Sequence, residues 1–348
     1  MPRFSVVPVV FVVLSVLGTY FSGMSVKFVL NELIVRFIRD GVMVLALIIP
    51  VTAGMGLNFA IIVGTMCAQV GLILAVDYQL HGAAGLLAIT AVGVFFALIF
   101  GILIGICLNR VKGKEMIATI IIGFLATSLY QLVFMAGYGT VISPHNQEMM
   151  LSRGIGIRNM IDLEHFRNVM DNLWMIDLGG IQIPLFMVLV VLLFALAIKY
   201  ILSTRLGQLF RAVGNSSEKA VLLGIDADRV RIVAITISTL FACCGQIIYS
   251  QNIGMLNVYT AHLNSDIFSC AALLAGGATI YQAKVRHALI GILLFHTLFI
   301  VSPQAGQNVF QNPALGEYFR TFVAYGTIAF ALMMNIRQEN RQPHPEKP

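Results

Sequence analysis

The chain has few charged residues. Only 11% of its 348 residues are Asp, Glu, Lys or Arg, whereas about 25% are charged in a typical soluble domain. Hydrophobic residues make up 58% of the chain, and the mean hydropathy is +0.88. So few charges cannot cover a water-facing surface, which excludes a soluble enzyme, and such high hydrophobicity excludes a disordered chain. The composition therefore indicates an integral membrane protein.

The sequence also lacks the residue patterns that would indicate a metal site or binding to nucleic acid. Its five cysteines lie inside apolar runs without ligand-type spacing, so they indicate neither a disulfide framework nor a metal site. The net charge of +6 comes from small basic groups scattered between apolar runs, an arrangement that orients membrane proteins. We therefore expect membrane lipids around the chain and no nucleic acid.

Catalytic motifs are missing as well. There is no Gly-x-x-x-x-Gly-Lys-Ser/Thr phosphate loop and no Ser/His/Asp grouping with useful spacing. The sequence thus predicts a chain that is not an enzyme and holds no cofactor of its own. Several apolar stretches contain no Asp, Glu, Lys or Arg: 41–76, 82–109, 116–147 and 232–265. Proton-driven carriers need ionisable relays in the membrane, so an autonomous proton-coupled pump is disfavoured.

Long apolar runs recur along the chain. Ten can be drawn, at about 5–21, 41–57, 60–77, 83–108, 117–138, 183–202, 231–251, 265–281, 286–302 and 319–336. Lipid-exposed backbone must satisfy its own hydrogen bonds, which predicts helices, and a β-barrel would show shorter alternating segments. We therefore predict an all-α, polytopic transmembrane helical bundle of about ten spans. The first run has a basic start like a signal peptide but no small-residue cleavage site, so we expect it to be retained.

The distribution of basic residues predicts the orientation. With the N-terminus in the cytoplasm, fifteen of the 22 Lys and Arg residues fall on the cytoplasmic side. This bias predicts that both termini are cytoplasmic. We expect a single transmembrane domain over 1–348, with an extracytoplasmic insertion at about 139–182 and a cytoplasmic segment at about 203–230.

The outer insertion contains apolar residues at three- and four-residue spacing. They run from Leu163 to Trp174, and Asp162 stands where an N-cap would be. This pattern predicts an amphipathic helix. Such a helix would either lie on the membrane surface or form a docking surface for an outer partner.

The inner segment predicts a very short helix. Asn215 and Glu218 resemble a capping arrangement, and Gly224 is a natural helix terminator. The two turns between them are marginal as a helix in water. We therefore expect this helix to be held by the cytoplasmic face of the protein itself or by another protein.

Neutral polar residues occur within the apolar runs. Any one of them can simply pair with a neighbouring helix, since an unpaired polar group in lipid is costly. A cluster facing an internal path would suit a neutral solute rich in hydroxyls, and the candidates are Asn58, Thr65, Gln69, Gln246 and Asn252. His262 and His296 have no metal-like partner nearby in sequence, so we expect packed or hydrogen-bonded imidazoles.

The inner segment resembles a known family. The residues that carry the resemblance are Arg211, Ala212, Val213, Gly214, Glu218, Ala220, Gly224 and Ile225. This pattern resembles the cytoplasmic coupling segment of binding-protein-dependent ABC transporter permeases of the ribose/galactose type. Branched-chain amino acid and nucleoside permeases are relatives of that branch. The runs at 56–58 and 116–119 also resemble the family's motifs.

The resemblance implies a function and a set of partners. The chain would be the permease subunit of an ATP-driven importer in a bacterial-type inner membrane, carrying a small neutral polar solute, most often a monosaccharide. A nucleoside importer is the alternative, and an ATPase-independent secondary carrier is a weaker one. The implied partners are cytoplasmic ATPase subunits that bind ATP-Mg, an extracytoplasmic solute-binding protein, and a second permease chain, identical or not.

The resemblance also implies roles for the coupling residues. Arg211 and Glu218 would make polar contacts with the ATPase, and Val221, Leu222 and Ile225 would be apolar anchors. The small residues that complete the implied ATPase-coupling set are Gly214, Ala220 and Gly224.

Overall fold

The computed structural model describes residues 6–152 and 154–339. Most of them are α-helical, as the sequence predicts. The helices are α1 (Val6–Ser22), α2 (Val26–Ala46), α3 (Ile48–Thr52), α4 (Ile61–Asp77), α5 (Gly82–Asn109), α6 (Glu115–Leu132), α7 (Leu185–Ser203), α8 (Arg205–Asn215), α9 (Ser217–Leu222), α10 (Ala227–Ile253), α11 (Ser265–Ala275), α12 (Val285–Phe310) and α13 (Pro313–Glu339).

The described residues also contain two short antiparallel strand pairs. Strand β1 (Met160–Asp162) pairs antiparallel with β4 (Met255–Asn257), and β2 (Met175–Asp177) pairs antiparallel with β3 (Gln182–Pro184). A π-helical turn at Val133–Gly137 extends α6, and Asp171–Trp174 is a 3₁₀ turn.

Within residues 6–152 and 154–339, five helices are long and apolar enough to cross a membrane. They are α5, α7, α10, α12 and the continuous helix Glu115–Gly137. Each is long enough to span a hydrocarbon core about 30 Å thick. Helices α1, α4 and α11 are apolar but shorter. The prediction of a helical membrane protein is therefore confirmed.

Helix α10 lies at the centre of the bundle. It packs against α2, α4 and α5, and close approach depends on small residues at the crossings. A Cβ added to Gly105 of α5 would lie 2.7 Å from the Ile232 Cα of α10. Small residues at such crossings let helix backbones approach closely, which is how helices associate when lipid surrounds them.

The two ends of α10 identify the two ends of the bundle. Near its start, the Arg231 guanidinium donates to Asn109 at 3.0 Å and pairs with Glu115 at 2.5 Å. Near its end, Asn252 donates to Asp171 of the 138–184 segment. A helix of this length spans about 40 Å. Residues 138–184 are called the outer segment below. The outer segment and the α8–α9 segment therefore lie at opposite ends of the bundle.

The amphipathic helix predicted from Leu163 to Trp174 is wrong. Asp162 ends strand β1 rather than capping a helix, and turns follow it before the 3₁₀ turn. The reason is that the backbone there bonds to the end of α10. The Leu163 amide donates to the Gly254 carbonyl at 3.0 Å, and the Asn168 amide donates to the Gln251 carbonyl at 3.0 Å. Those donors are not available for a helical ladder.

Helix α2 also differs from prediction. It begins at Val26, with the Ser25 hydroxyl as N-cap, rather than near 41. The basic residues Arg36 and Arg39 therefore lie on a helix and not in an outer loop, because charges on one face do not interrupt a helix. Of the basic residues used to predict orientation, Arg3, Arg153, Arg341 and Lys347 lie outside the described residues.

Candidate coupling face and solute path

Helix α8 lies against the bundle through a close backbone contact. Its apolar side chains Phe210 and Val213 are buried. A Cβ at Gly214 would meet the Thr52 carbonyl oxygen, and a Cβ at Gly54 would lie 2.7 Å from the Gly214 Cα. Only glycine permits this approach, and Gly54 also has a positive φ of +77°. Gly214 therefore fixes α8 on the end of α3.

Helix α9 begins and ends with recognisable caps. The Ser216 hydroxyl accepts a hydrogen bond from the Lys219 amide at 3.3 Å, whereas Asn215 is the last residue of α8. The predicted Asn215 cap is therefore wrong by one residue, because α8 extends up to it. At the other end Gly224 adopts a φ of +79°, and the Ile225 amide donates to the Ala220 carbonyl. Gly224 thus ends α9 as predicted.

The short helix presents a group of exposed apolar side chains. Val221, Leu222 and Leu223 are 57%, 86% and 78% exposed, while Ala220 is buried. We call these three residues the α9 tip. Ile225 packs against the protein's own core, so it does not lie beside the exposed residues. Leu223 does, and sequence reasoning missed it, although the apolar run before Gly224 was a signal.

The polar residues of the coupling segment lie on the surface. Arg211 is exposed, and its guanidinium donates to the Leu202 carbonyl at the end of α7. This bond ties α8 to the preceding helix. Glu218 is exposed in the first turn of α9, where a carboxylate complements the helix dipole.

Two of the predicted solute-path residues are bonded within the chain. The Asn58 amide donates to the Ser238 hydroxyl at 3.3 Å, and its side-chain oxygen accepts from the Ala60 amide at 3.0 Å. The Thr65 hydroxyl donates to the Ile62 carbonyl at 2.7 Å. Both residues are buried, and these bonds satisfy the polar groups that sequence reasoning singled out.

The other three candidates lie in separate surroundings. The Gln69 side-chain oxygen is 3.1 Å from His262 Nδ1, and the Asn252 amide donates to Asp171 at 2.9 Å. Gln246 lines a small cavity beside α2, α11 and α12. The structure therefore does not bring the five candidates together around one space. The solute path remains a prediction, with Gln246 as the member that faces open volume.

Comparisons with known proteins identify the family. The sequence profile of the family described as "Branched-chain amino acid transport system / permease component" matches residues 10–334. This chain is a member of that family. The resemblance seen in the inner segment is thereby confirmed, and the chain is a multi-pass membrane transport subunit.

Individual relatives agree with this assignment. The permease is 26% identical over 332 residues to the D-allose transport system permease protein of Escherichia coli (strain K12), covering 93% of this chain and 90% of that one. It is 22% identical over 274 residues to the fructose import permease protein of Bifidobacterium longum (strain NCC 2705), covering 78% and 74%. No solved structure matches the chain.

The permease also anchors its outer segment through buried carboxylates, which sequence reasoning missed. Asp77, at the end of α4, accepts from the backbone amides of His145 and Asn146 at 2.8 and 3.0 Å and from the Tyr138 hydroxyl at 2.7 Å. In the sequence, a single Asp at the end of an apolar run was the signal for this contact.

Asp171 plays the same part at the end of α10. Its carboxylate accepts from the side-chain amides of Gln251 and Asn252 at 3.1 and 2.9 Å. Burial raises the pKa of the Asp171 carboxyl, and these two hydrogen bonds act in the opposite direction. Such donors stabilise the ionised form of a buried acid. The outer segment of the permease is thus joined to the bundle by buried carboxylates that accept hydrogen bonds.

The permease further contains ionisable groups between its helices. Asp40 of α2 lies 3.3 Å from Nε2 of the buried His296 on α12, so this imidazole is packed between helices beside a carboxylate. The Arg36 and Arg320 guanidinium carbons lie 5.2 and 3.9 Å from the centroid of the Phe299 ring. Cation–π contacts of this kind stabilise a desolvated guanidinium.

Proposed function

We propose that this chain is the membrane subunit of an ATP-driven importer that carries a monosaccharide. The observation that carries the proposal is the α9 tip, an exposed apolar group held on a rigid base, in a chain that belongs to a permease family. The relatives that match most of its length are named for the transport of D-allose and fructose, which favours a monosaccharide over a nucleoside.

In the proposed topology the chain crosses the membrane ten times and both termini are cytoplasmic. The crossings are α1, α2 with α3, α4, α5, α6, α7, α10, α11, α12 and α13. Helix α11 has 11 residues, or about 16 Å. The extended segment before α12 would complete its passage. This topology makes the whole chain one domain, with the outer segment extracytoplasmic and α8–α9 cytoplasmic.

The proposed mechanism couples ATP to movement of α9. Two ATPase subunits that bind ATP-Mg would each receive an α9 tip in a groove, one from this chain and one from a second permease chain, identical or not. Arg211 and Glu218 would make the polar contacts at that joint. A solute-binding protein would deliver the sugar to the outer segment. ATP can shift the permease between two states only if α9 makes different contacts in each.

The first experiment is recovery of the ATPase. We would purify the tagged permease from its own cells after mild crosslinking and identify bound proteins by mass spectrometry. We expect an ATPase with a phosphate-loop motif, and its loss from a Leu222→Ser variant. Leu173→Ser is the matched control, because Leu173 is an exposed leucine of the outer segment. Absence of any ATPase with the unmodified chain would contradict the proposal.

The second part of the test is transport. The complete transporter, with its ATPase and binding protein, would be reconstituted in vesicles and supplied with radiolabelled monosaccharides. ATP-dependent accumulation of a sugar is the expected result. Accumulation driven by an ion gradient without ATP would instead support a secondary carrier.

A further inference from the structure

A small polar cavity lies inside the bundle, near the end of α10 that meets the outer segment. It has a volume of about 100 Å³ and is enclosed by α2, α10, α11, α12 and the 258–264 loop. Asp40 contributes a carboxylate, Gln246 an amide and His296 an imidazole. The walls thus combine charged, polar and apolar groups, the usual composition of a ligand site.

Two buried side chains of this cavity keep acceptors without a partner. The Gln246 amide nitrogen donates to the Ser250 hydroxyl at 3.3 Å, but its oxygen meets no donor in the described part of the chain. His296 directs Nε2 to Asp40, and its Nδ1 has no partner among the same residues. Gln246 is 0% and His296 4% exposed. Unpaired buried acceptors are costly, so a ligand with O–H donors would relieve them.

The electrostatics favour a neutral ligand over a cation. Arg36 lies four residues before Asp40 on the same helix, where side chains are neighbours, and its positive charge offsets that of the carboxylate. The carboxylate charge is therefore already balanced. Tyr249 and Phe268 add aromatic surface to the lining, which suits the apolar face of a sugar ring.

The cavity is open at one side. The Asp40 side chain is 24% exposed, and Leu263 on the rim is 40% exposed. The volume admits one hydroxylated edge of a sugar and leaves the rest of the ring at the mouth. We propose that this cavity is a hydroxyl-binding subsite for the transported monosaccharide, in which Gln246 and His296 accept hydrogen bonds from sugar hydroxyls.

This subsite rests on the proposed function but is tested by binding rather than transport. The full permease in lipid nanodiscs would be titrated with radiolabelled D-allose and D-fructose. We expect saturable binding of at least one sugar and about tenfold weaker binding by Gln246→Met, since an unpaired hydroxyl is left in the site. Tyr249→Ala, which removes the aromatic ring from the lining, serves as a second variant and should also bind more weakly.

The control is Thr239→Val on the same helix. Thr239 is buried and bonds to the Ile235 carbonyl at 2.9 Å, away from the cavity lining. We expect this variant to bind sugar as the unmodified chain does. Equal affinity for Gln246→Met, Tyr249→Ala and the unmodified chain would overturn the subsite. The absence of saturable binding by the unmodified chain would also overturn it and would leave water as the occupant.

Uptake separates this result from failure of the proposed function. If the complete transporter imports a sugar that Gln246→Met binds unchanged, the subsite is wrong and the importer stands. If the unmodified chain assembles with no ATPase and imports no sugar, the importer is wrong.

Discussion

The two ends of the bundle are built on opposite principles. The outer segment is joined to the helices by buried carboxylates that accept several hydrogen bonds, such as Asp77 and Asp171. The α8–α9 segment is joined by a glycine contact, and the α9 tip is left exposed. Buried charges need all of their partners, whereas exposed apolar groups call for a partner elsewhere. The outer segment is therefore attached through buried carboxylates, whereas α8–α9 is attached through a close backbone contact.

This contrast predicts different effects for substitutions at the two ends of the bundle. Changes at the outer end should lower stability before they affect assembly. Changes at the α9 end should reduce assembly and transport while the bundle stays folded. The predictions below are ordered by the size of their expected effect on stability.

The largest effect is expected for Asp77→Ala. It would leave the His145 and Asn146 amides and the Tyr138 hydroxyl without their buried acceptor. Each buried donor left without an acceptor costs about 1–3 kcal/mol, and three donors lose theirs here. Thermal unfolding of the purified permease should show a clearly lower midpoint.

Asp177→Ala is the matched control for Asp77→Ala. Among the described residues, the exposed Asp177 side chain accepts only from the Gly180 amide, so we expect a change within about 1 kcal/mol. Equal effects of the two substitutions would show that the outer segment is not held by its buried carboxylates.

An intermediate effect is expected for Gly214→Ala. The new Cβ would meet the Thr52 carbonyl oxygen, a backbone atom that cannot rotate away. Overpacking of this kind costs about 1–3 kcal/mol, and α8 should shift from α3. We expect reduced recovery of the ATPase in addition to a lower unfolding midpoint.

Gly326→Ala provides the comparison for that change. Gly326 lies in α13, and an added Cβ would meet no atom within 4 Å among the described residues. Helix propensity then favours alanine by about 1 kcal/mol. If Gly214→Ala unfolded no more easily than Gly326→Ala, the close packing of α8 on α3 would be refuted.

Apolar runs bounded by polar residues were predictable from the sequence. Helix α4 at Ile61–Asp77 and α5 at Gly82–Asn109 agree with the predicted runs 60–77 and 83–108 within one residue. Their length and hydrophobicity alone specify a helix in lipid. The coupling segment was also recognisable, because Gly224 requires a left-handed backbone and stands after an apolar run.

Features that depend on distant contacts were not predictable. The outer apolar pattern after Asp162 indicated a helix, but the Leu163 and Asn168 amides bond to the Gly254 and Gln251 carbonyls at the end of α10 instead. The predicted run began near 41 and so missed the start of α2 at Val26, because the charged residues before it meet distant partners: Arg36 lies over Phe299 and Asp40 lies beside His296 on α12. The exposure of Leu223 likewise follows from how α9 sits on α8.

The smallest effect on stability, and the sharpest test of the α9 end, is expected for Glu218→Lys. Glu218 is exposed in the first turn of α9, so charge reversal there costs at most about 1 kcal/mol through the helix dipole. The unfolding midpoint should stay close to that of the unmodified chain. If Glu218 contacts the ATPase, however, sugar uptake per ATP hydrolysed should fall severalfold in reconstituted vesicles.

Glu148→Lys separates a local charge effect from coupling. Glu148 is also exposed, but it lies in the 3₁₀ turn Gln147–Met149 of the outer segment. Its reversal should leave the ratio of uptake to hydrolysis unchanged, because no ATPase can reach that end of the bundle in the proposed topology. Unchanged uptake in Glu218→Lys would remove Glu218 from the coupling joint, and the α9 tip would then have to make the joint through apolar contacts alone.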